Sequence, residues 1–342
     1  MKITTVGIDL AKNVFQVHGV DQHGRPVVKK SLKRKQILAF FAQLTPCLVG
    51  MEACGGAHYW ARKLQAQGHT VKLMAPQFVK PYVKANKTGA ADAEAICEAV
   101  TRPTMRFVPI KNADQQSVLS LHRARQGFVK ARTAQANQIR GLLAEYGITI
   151  PQGISHVAKQ VPRVVEDAEN VLPGVFCALL IRLGAHLREL DGQVQALEEQ
   201  IQAWHRTNEE SQKLACIPGI GPLTASALTA SIGDARNFKN GRQLAAWLGL
   251  VPRQHSSGGK VLLQGISKRG DAYLRTLLIH GARSVVRVAE RKTMPADRWS
   301  TEMLSRRHKN IAAVARANKN ARIVWALLAH GRDYNAGHEL AV

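Results

Sequence analysis

The order of strand-like and helix-like runs in the first hundred residues restricts the fold more than any other feature of this chain. Residues 3–10 (ITTVGIDL) form a β-branched, apolar run that closes around Asp9. Residues 14–20 and 26–31 read as two further strands, the pair joined through the turn Asp21-Gln22-His23-Gly24. The pattern then predicts a helix over about 35–44 and a buried strand over 47–51 that leads into Glu52. A helix over about 57–67 and a strand over 70–74 follow.

Three strands followed by alternating helix and strand is the order of an α/β, ribonuclease-H-like fold. An actin-like sugar-kinase fold also starts its first hairpin with an aspartate, but it needs a glycine-rich phosphate loop there, and GIDLAKNVF has none. Asp9 and Glu52 each follow an apolar run, where a buried carboxylate is costly unless it is paired or binds a cation. Acids at the ends of neighbouring central strands can converge on Mg²⁺, which prefers oxygen ligands and phosphate co-ligands. A third acid, Asp92, lies on a helix predicted over 88–100. It shares a face with Ala95, Ile96 and Ala99, whereas Glu94 and Glu98 point outward. Any one of these acids is explained by strand-end solvation, a helix cap or an ion pair. The three in this order favour metal binding.

Charge narrows the partner. The chain has 48 Lys and Arg against 24 Asp and Glu, a net charge of +24. The excess is concentrated, since residues 242–322 hold 17 Lys and Arg but only 4 Asp and Glu. Such a balance points to nucleic acid ahead of an ordinary basic enzyme. With 342 residues, 45% of them hydrophobic, two or three folded domains are expected and a disordered chain is not. The five cysteines (Cys47, Cys54, Cys97, Cys177, Cys216) are scattered without a CxxC. They fit a reducing cytoplasm and argue against a disulfide scaffold or zinc site. No signal peptide or membrane-length apolar run is visible, so a cytoplasmic protein with no membrane partner is expected.

In the middle of the chain, Leu183, Leu187, Leu190, Val194, Leu197, Ile201 and Trp204 recur at spacings of four and three, the a/d seam of a coiled coil. An earlier helix, about 113–146, carries Arg123, Arg125, Lys130, Arg132 and Arg140. An intramolecular antiparallel pair and a dimerisation arm suit the seam equally. Farther on, residues 217–222 (IPGIGP) lead into LTASALTASIG. Gly219 and Gly221 there resemble a helix-hairpin-helix turn, whose backbone N–H groups hold a DNA phosphate, although an ordinary Pro/Gly turn explains them as well. Residues 248–281 place Ser256 and Ser257 before Gly258, Gly259 and Lys260. A short strand, a second basic turn at Lys268-Arg269-Gly270 and a helix bearing Arg275 come next. The plain reading is a surface hairpin. The sharper one is a serine that attacks phosphorus, flanked by cations that neutralise the phosphate. Arg283, Arg287 and Arg291 on that helix, and Lys309, Arg316, Lys319 and Arg322 on the last one, are expected to contact a nucleic-acid backbone.

With the carboxylates, PGIGP, SSGG and KRGDAYLR together, the chain resembles the insertion-sequence transposases of the DEDD type. The stretches that carry the resemblance are GIDLAKNVFQVHGVD, GMEACGGAHYWARKL, VKPYVKANKTGAADAEAICEAVTRPTMRFVP, IPGIGPLTASAL and GLVPRQHSSGGKVLLQGISKRGDAYLRTLLIHGAR. It implies an α/β ribonuclease-H-like (RuvC-like) domain over 1–108 and a long α-helical coiled-coil region over 109–210. A mostly α-helical transposase domain with a helix-hairpin-helix-like element would span 211–342. It further implies an oligomer, a dimer or tetramer, that handles donor and target DNA under a structured noncoding guide RNA. A serine forms a covalent phosphoserine while acids hold Mg²⁺. By motif position the metal ligands fall on Asp9, Glu52 and Asp92, and the nucleophile on Ser257, with Ser256 as fallback. One position departs: the family pattern has an aspartate where this chain has Gly89, three residues before Asp92. A RuvC-like nuclease that hydrolyses DNA with water, and a catalytically impaired nucleic-acid-binding relative, remain as alternatives.

Overall fold

The computed structural model describes residues 2–84, 88–291 and 298–335, so residues 85–87 of the VKPYVKANKTGAAD motif lie outside the described residues. The chain divides into two compact units, Met1–Ala113 and Asp114–Val342.

In the first unit, β1 (Thr5–Leu10), β2 (Val14–Val20) and β3 (Pro26–Lys33) form a meander. There follow α1 (Ile37–Ala42), β4 (Leu48–Glu52), α2 (Ala57–Gln65), β5 (Thr70–Met74), α3 (Pro76–Val79), α4 (Gly89–Val100) and β6 (Phe107–Val108). They build one sheet in the order β3-β2-β1-β4-β5-β6. β1, β4 and β5 are mutually parallel and the other pairs are antiparallel. The ribonuclease-H-like order expected from the sequence is present, with β6 added at the edge.

Alternation along the strands divides the sheet's two faces. Val6, Ile8, Val49, Met51 and Leu73 are buried in one cluster with Phe41, Trp60, Ala61 and Leu64 of α1 and α2. On the opposite face Gly7 and Gly50 have no side chain, and α4 occupies the space. A Cβ at Gly50 would stand 2.8 Å from Val100 Cβ, and one at Gly7 would overlap the Ala93 carbonyl oxygen and the Cys97 amide. The helix therefore lies directly on β1 and β4.

The second unit begins with α5 (Ala113–Ala144), α6 (Ile154–Glu166) and α7 (Gly174–Thr207). α5 and α7 run antiparallel, cross-linked by Arg125–Glu198 and Arg132–Asp191 ion pairs. The Trp204 indole also donates to Asp114 at 3.0 Å. Leu187, Leu190, Val194 and Ile201 of the predicted seam are buried inside this chain. Val171, Val175 and Ile181 near the start of α7 stay exposed.

Then come α8 (Glu209–Ala215), α9 (Pro222–Ile232), α10 (Gly241–Trp247), the hairpin β7 (Pro252–Ser257) and β8 (Lys260–Ile266), α11 (Ala272–Glu290), α12 (Arg298–Arg306) and α13 (Lys309–His330). A core that includes Leu228, Leu244, Leu278 and Val324 joins α9, α10, α11 and α13.

A buried polar chain ties these helices together. Ser226 donates to the Pro222 carbonyl at 2.7 Å, which leaves its oxygen to accept from His122 Nε2–H at 3.1 Å. His122 Nδ1 then accepts from the Tyr273 hydroxyl at 3.0 Å. The Arg125 guanidinium, held by Glu198, acts on Tyr273 beside it. Burial, with the Arg125 charge adding to it, pushes His122 down to about 4.

Three outcomes follow from this packing. Gly7→Ala should destabilise the protein by about 3 kcal/mol in urea denaturation, because the methyl meets backbone that cannot yield. By contrast, Gly127→Ala on α5, where a Cβ meets nothing within 4 Å, should stabilise by about 0.5–1 kcal/mol. His122 is kept neutral by the fold, so its contribution is complete above pH ~6.5 and declines as pH falls toward 4. Between pH 7 and 4.5 about 2–3 kcal/mol should be lost, and His122→Gln should flatten that decline.

Candidate active site

Asp9 and Glu52 are the acids that the fold sets side by side. β1 and β4 pair in register with Ile8 opposite Met51, so the next residues, Asp9 and Glu52, occupy adjacent positions at the strand ends. Both lie on the α4 face, since Gly7 and Gly50 two residues earlier are the ones that α4 covers. The field they create is visible at Cys54: its thiol is pushed above the usual value by burial first, then by Glu52 and Asp9.

The first turn of α4 completes this end of the sheet. The Thr88 hydroxyl caps it, accepting from the Ala91 amide at 3.2 Å. Gly89 is the first helical residue, and a Cβ there would stand 2.9 Å from Asp9 Oδ2 and 3.0 Å from Gln16 Cγ. An aspartate at position 89 would thus put its carboxylate against Asp9. Asp92 follows one turn later on the same helix and is partly exposed. Among the described residues no three His, Cys, Asp or Glu side chains stand close enough to hold one metal ion together. What the structure brings together is the pair Asp9 and Glu52, with Asp92 outside a three-ligand group. A pair still fits Mg²⁺, which is commonly held by one or two carboxylates plus water and substrate phosphate.

The serines occupy the tip of the β7–β8 hairpin. Ser257 pairs with Lys260 and Ser256 with Val261. Gly258 and Gly259 have φ of 55° and 77°, the left-handed pair that a tight primed turn requires. Neighbouring strand residues face opposite ways: Ser256 Oγ accepts from Gln254 Nε2 at 2.8 Å, and within its unit no described residue hydrogen-bonds Ser257 Oγ. The hairpin is exposed along its whole length up to Ile266, Val261, Leu262 and Leu263 included.

Its base is firmly held. The Ser267 amide donates to the Val251 carbonyl at 2.8 Å, and the Lys268 amide to the Gly249 carbonyl at 3.1 Å. Lys268, with φ of 53°, and Arg269 are exposed beside it. Arg275 lies behind this turn and donates to the Leu248 and Arg269 carbonyls at 3.1 and 3.4 Å, so it braces the loop. In the PGIGP turn, Gly219 presses on α11 at Gly281, where a Cβ would overlap the Gly219 carbonyl. Asn320 holds the same turn by donating to the Pro218 carbonyl at 2.9 Å. Gly221 is exposed at the start of α9 with open space around it. The expectation for Arg316 is corrected: it is fully buried on the core face of α13 and cannot reach a nucleic-acid backbone. The sequence reading also passed over Gly7 and Gly50, whose only signal is a glycine two residues before each acid, and over His122.

Comparison with known proteins identifies the family. A DEDD-type IS110 transposase model matches residues 6–148, and the model described as Transposase IS116/IS110/IS902 family matches residues 211–296. A probable family 20 transposase of Pseudomonas aeruginosa is 55% identical over 98% of this chain and 100% of its own length. The transposase for insertion sequence element IS1111A of Coxiella burnetii is 44% identical over 98% of this chain and 92% of its own. That for IS1328 of Yersinia enterocolitica is 44% identical over 97% and 99%. This chain belongs to the IS110/IS116 family of insertion-sequence transposases.

Proposed function

We propose that this DNA transposase cuts and rejoins strands through a phosphoserine on Ser257, with Asp9 and Glu52 as the core of an Mg²⁺ site. The observation that carries the reading is the placement of Asp9 and Glu52 at the adjacent, in-register ends of β1 and β4, with Asp9 against the first turn of α4. When bound there, Mg²⁺ would polarise the scissile phosphate and lower the barrier to attack. Asp92 would contribute from the same helix once substrate phosphate draws the ligands in. Ser257 Oγ forms a bond to phosphorus as the bond to the leaving sugar oxygen breaks, and the serine proton ends on that oxygen. Lys260 in the same hairpin, with Lys268 and Arg269 at its base, neutralises the charge that develops. Gly221 and Gly258 offer backbone to phosphates, with Gly219 and Arg275 shaping the turns around them.

A structured guide RNA as partner rests on the family resemblance and on the net charge of +24. Assembly into a dimer or tetramer is supported by the apolar residues left exposed near the start of α7. Among the described residues no helix is long and apolar enough to cross a membrane.

The test is a denaturing gel of the protein with its element's RNA, labelled donor and target DNA, and Mg²⁺. A slow-migrating protein–DNA adduct is expected, lost in Ser257→Ala and retained in Ser256→Ala. Free DNA ends without an adduct would hand the reaction to water and make the serine a phosphate contact. Because a side chain at position 89 meets Asp9, Gly89→Asp should tighten Mn²⁺ binding about tenfold or more, read by calorimetry without DNA. Unchanged affinity would remove position 89 from the metal site.

A further inference from the structure

A cleft of about 1430 Å³ runs along one side of α13 in the second unit. It is larger than the roughly 300–1,000 Å³ of small-molecule pockets, which suits an extended ligand. Its floor is a stripe of α13 that includes Ile311, Val314 and Asn318; Ile311 is 54% exposed, and Asn318 donates to the Leu250 carbonyl at 3.1 Å. Four cations line it, Arg242, Lys319, Arg322 and Arg332, against one carboxylate, Asp333, which already faces Lys213 at 3.5 Å. Three aromatic residues, Trp299, Trp325 and Tyr334, line it as well; the Trp325 indole is tied to the Ala235 and Phe238 carbonyls, and Lys319 Nζ lies 4.9 Å from the Trp299 ring centre.

Rings interleaved with cations in an elongated groove are what an unpaired strand uses. Bases stack on the rings while phosphates meet the cations. A second copy of this strongly basic chain would bring like charge to the same surface. We infer that this cleft holds a short run of single-stranded DNA. Pro252, Gln264 and Ile266 at the base of the β7–β8 hairpin line the cleft too. Ser257 is five residues along that strand, roughly 17 Å away at ~3.4 Å per residue. A strand lying in the cleft would be continuous with DNA presented at the hairpin tip. The inference rests on the chain's being a DNA transposase but not on serine chemistry, so it survives if Ser257→Ala keeps the adduct.

The experiment is fluorescence anisotropy of the full chain with a labelled oligo-dT 12-mer. An oligo-U 12-mer and a 12-bp duplex serve as comparisons. Ile311→Glu places a carboxylate at an exposed position in the cleft and should weaken oligo-dT binding about tenfold or more. Trp299→Ala should weaken it about fivefold or more through lost stacking. Arg242→Gln with Arg322→Gln should lower the salt slope by about 1.4, at ~0.7 per phosphate contact on a single strand. Lys130→Gln with Lys159→Gln, exposed on α5 and α6, should change binding far less.

Wild-type binding by both Ile311→Glu and the double arginine variant would overturn the inference. So would unchanged DNA binding by Ile311→Glu with a shift from dimer to monomer in sedimentation, which would make the cleft a contact between copies. A preference for oligo-U or for the duplex would equally overturn it, assigning the cleft to RNA or to paired DNA.

Discussion

Everything proposed for the first unit depends on how closely α4 can approach the sheet. Two glycines, Gly7 and Gly50, remove the side chains that would otherwise hold the helix an extra layer away. Helix and strands then meet almost backbone to backbone, and the first turn of α4 is brought down onto Asp9 at the end of β1. Without that contact Asp9 and Glu52 would be two solvated strand-end acids. With it, Asp9 stands against a capped helix N-terminus whose amides favour negative charge at that spot, and Glu52 lies beside it. The cost of gathering carboxylates is therefore met partly by the helix end and partly by openness to water.

The second unit repeats the device with different parts. Gly219 and Gly281 let the PGIGP turn rest on α11, and Asn320 of α13 ties down the same turn. The polar chain from Tyr273 through His122 to Ser226, beside the Arg125–Glu198 ion pair, then links α5 to the starts of α11 and α9 and to α7. Each partner in that chain is satisfied by the next, which is the condition under which buried polar groups specify one arrangement of helices. The exposed loops are thereby mounted on a rigid base: the basic turn at Lys268 and Arg269 is laced to Gly249 and Val251 by backbone hydrogen bonds.

Much of this was legible in the sequence. Strand alternation and turn residues placed β1 through β5 to within a few residues, and Thr70–Met74 without error. The acids could be singled out because a charge after an apolar run needs a reason. Pairing of the heptad seam was legible as well, but not its partner, because a/d spacing says only that a helix packs. How near Asp9, Glu52 and Asp92 stand to one another depends on strand register and helix height, which no local pattern encodes. Arg316 shows the same limit: its residue type suggests a phosphate contact, and only its position on the inner face of α13 reveals that it is core. His122 lacked any local signal, since its partners lie 104 and 151 residues away.

The β7–β8 hairpin has a different kind of consequence. Among the described residues of its unit none covers its tip, so the tip contributes almost nothing to the free energy of folding. Substitutions there are invisible to a melting curve, and the segment is free to change its chemistry, its length or its reach without endangering the chain that carries it. An element mounted this way can vary independently of its scaffold, so a loss of function traced to it is separable from a loss of stability.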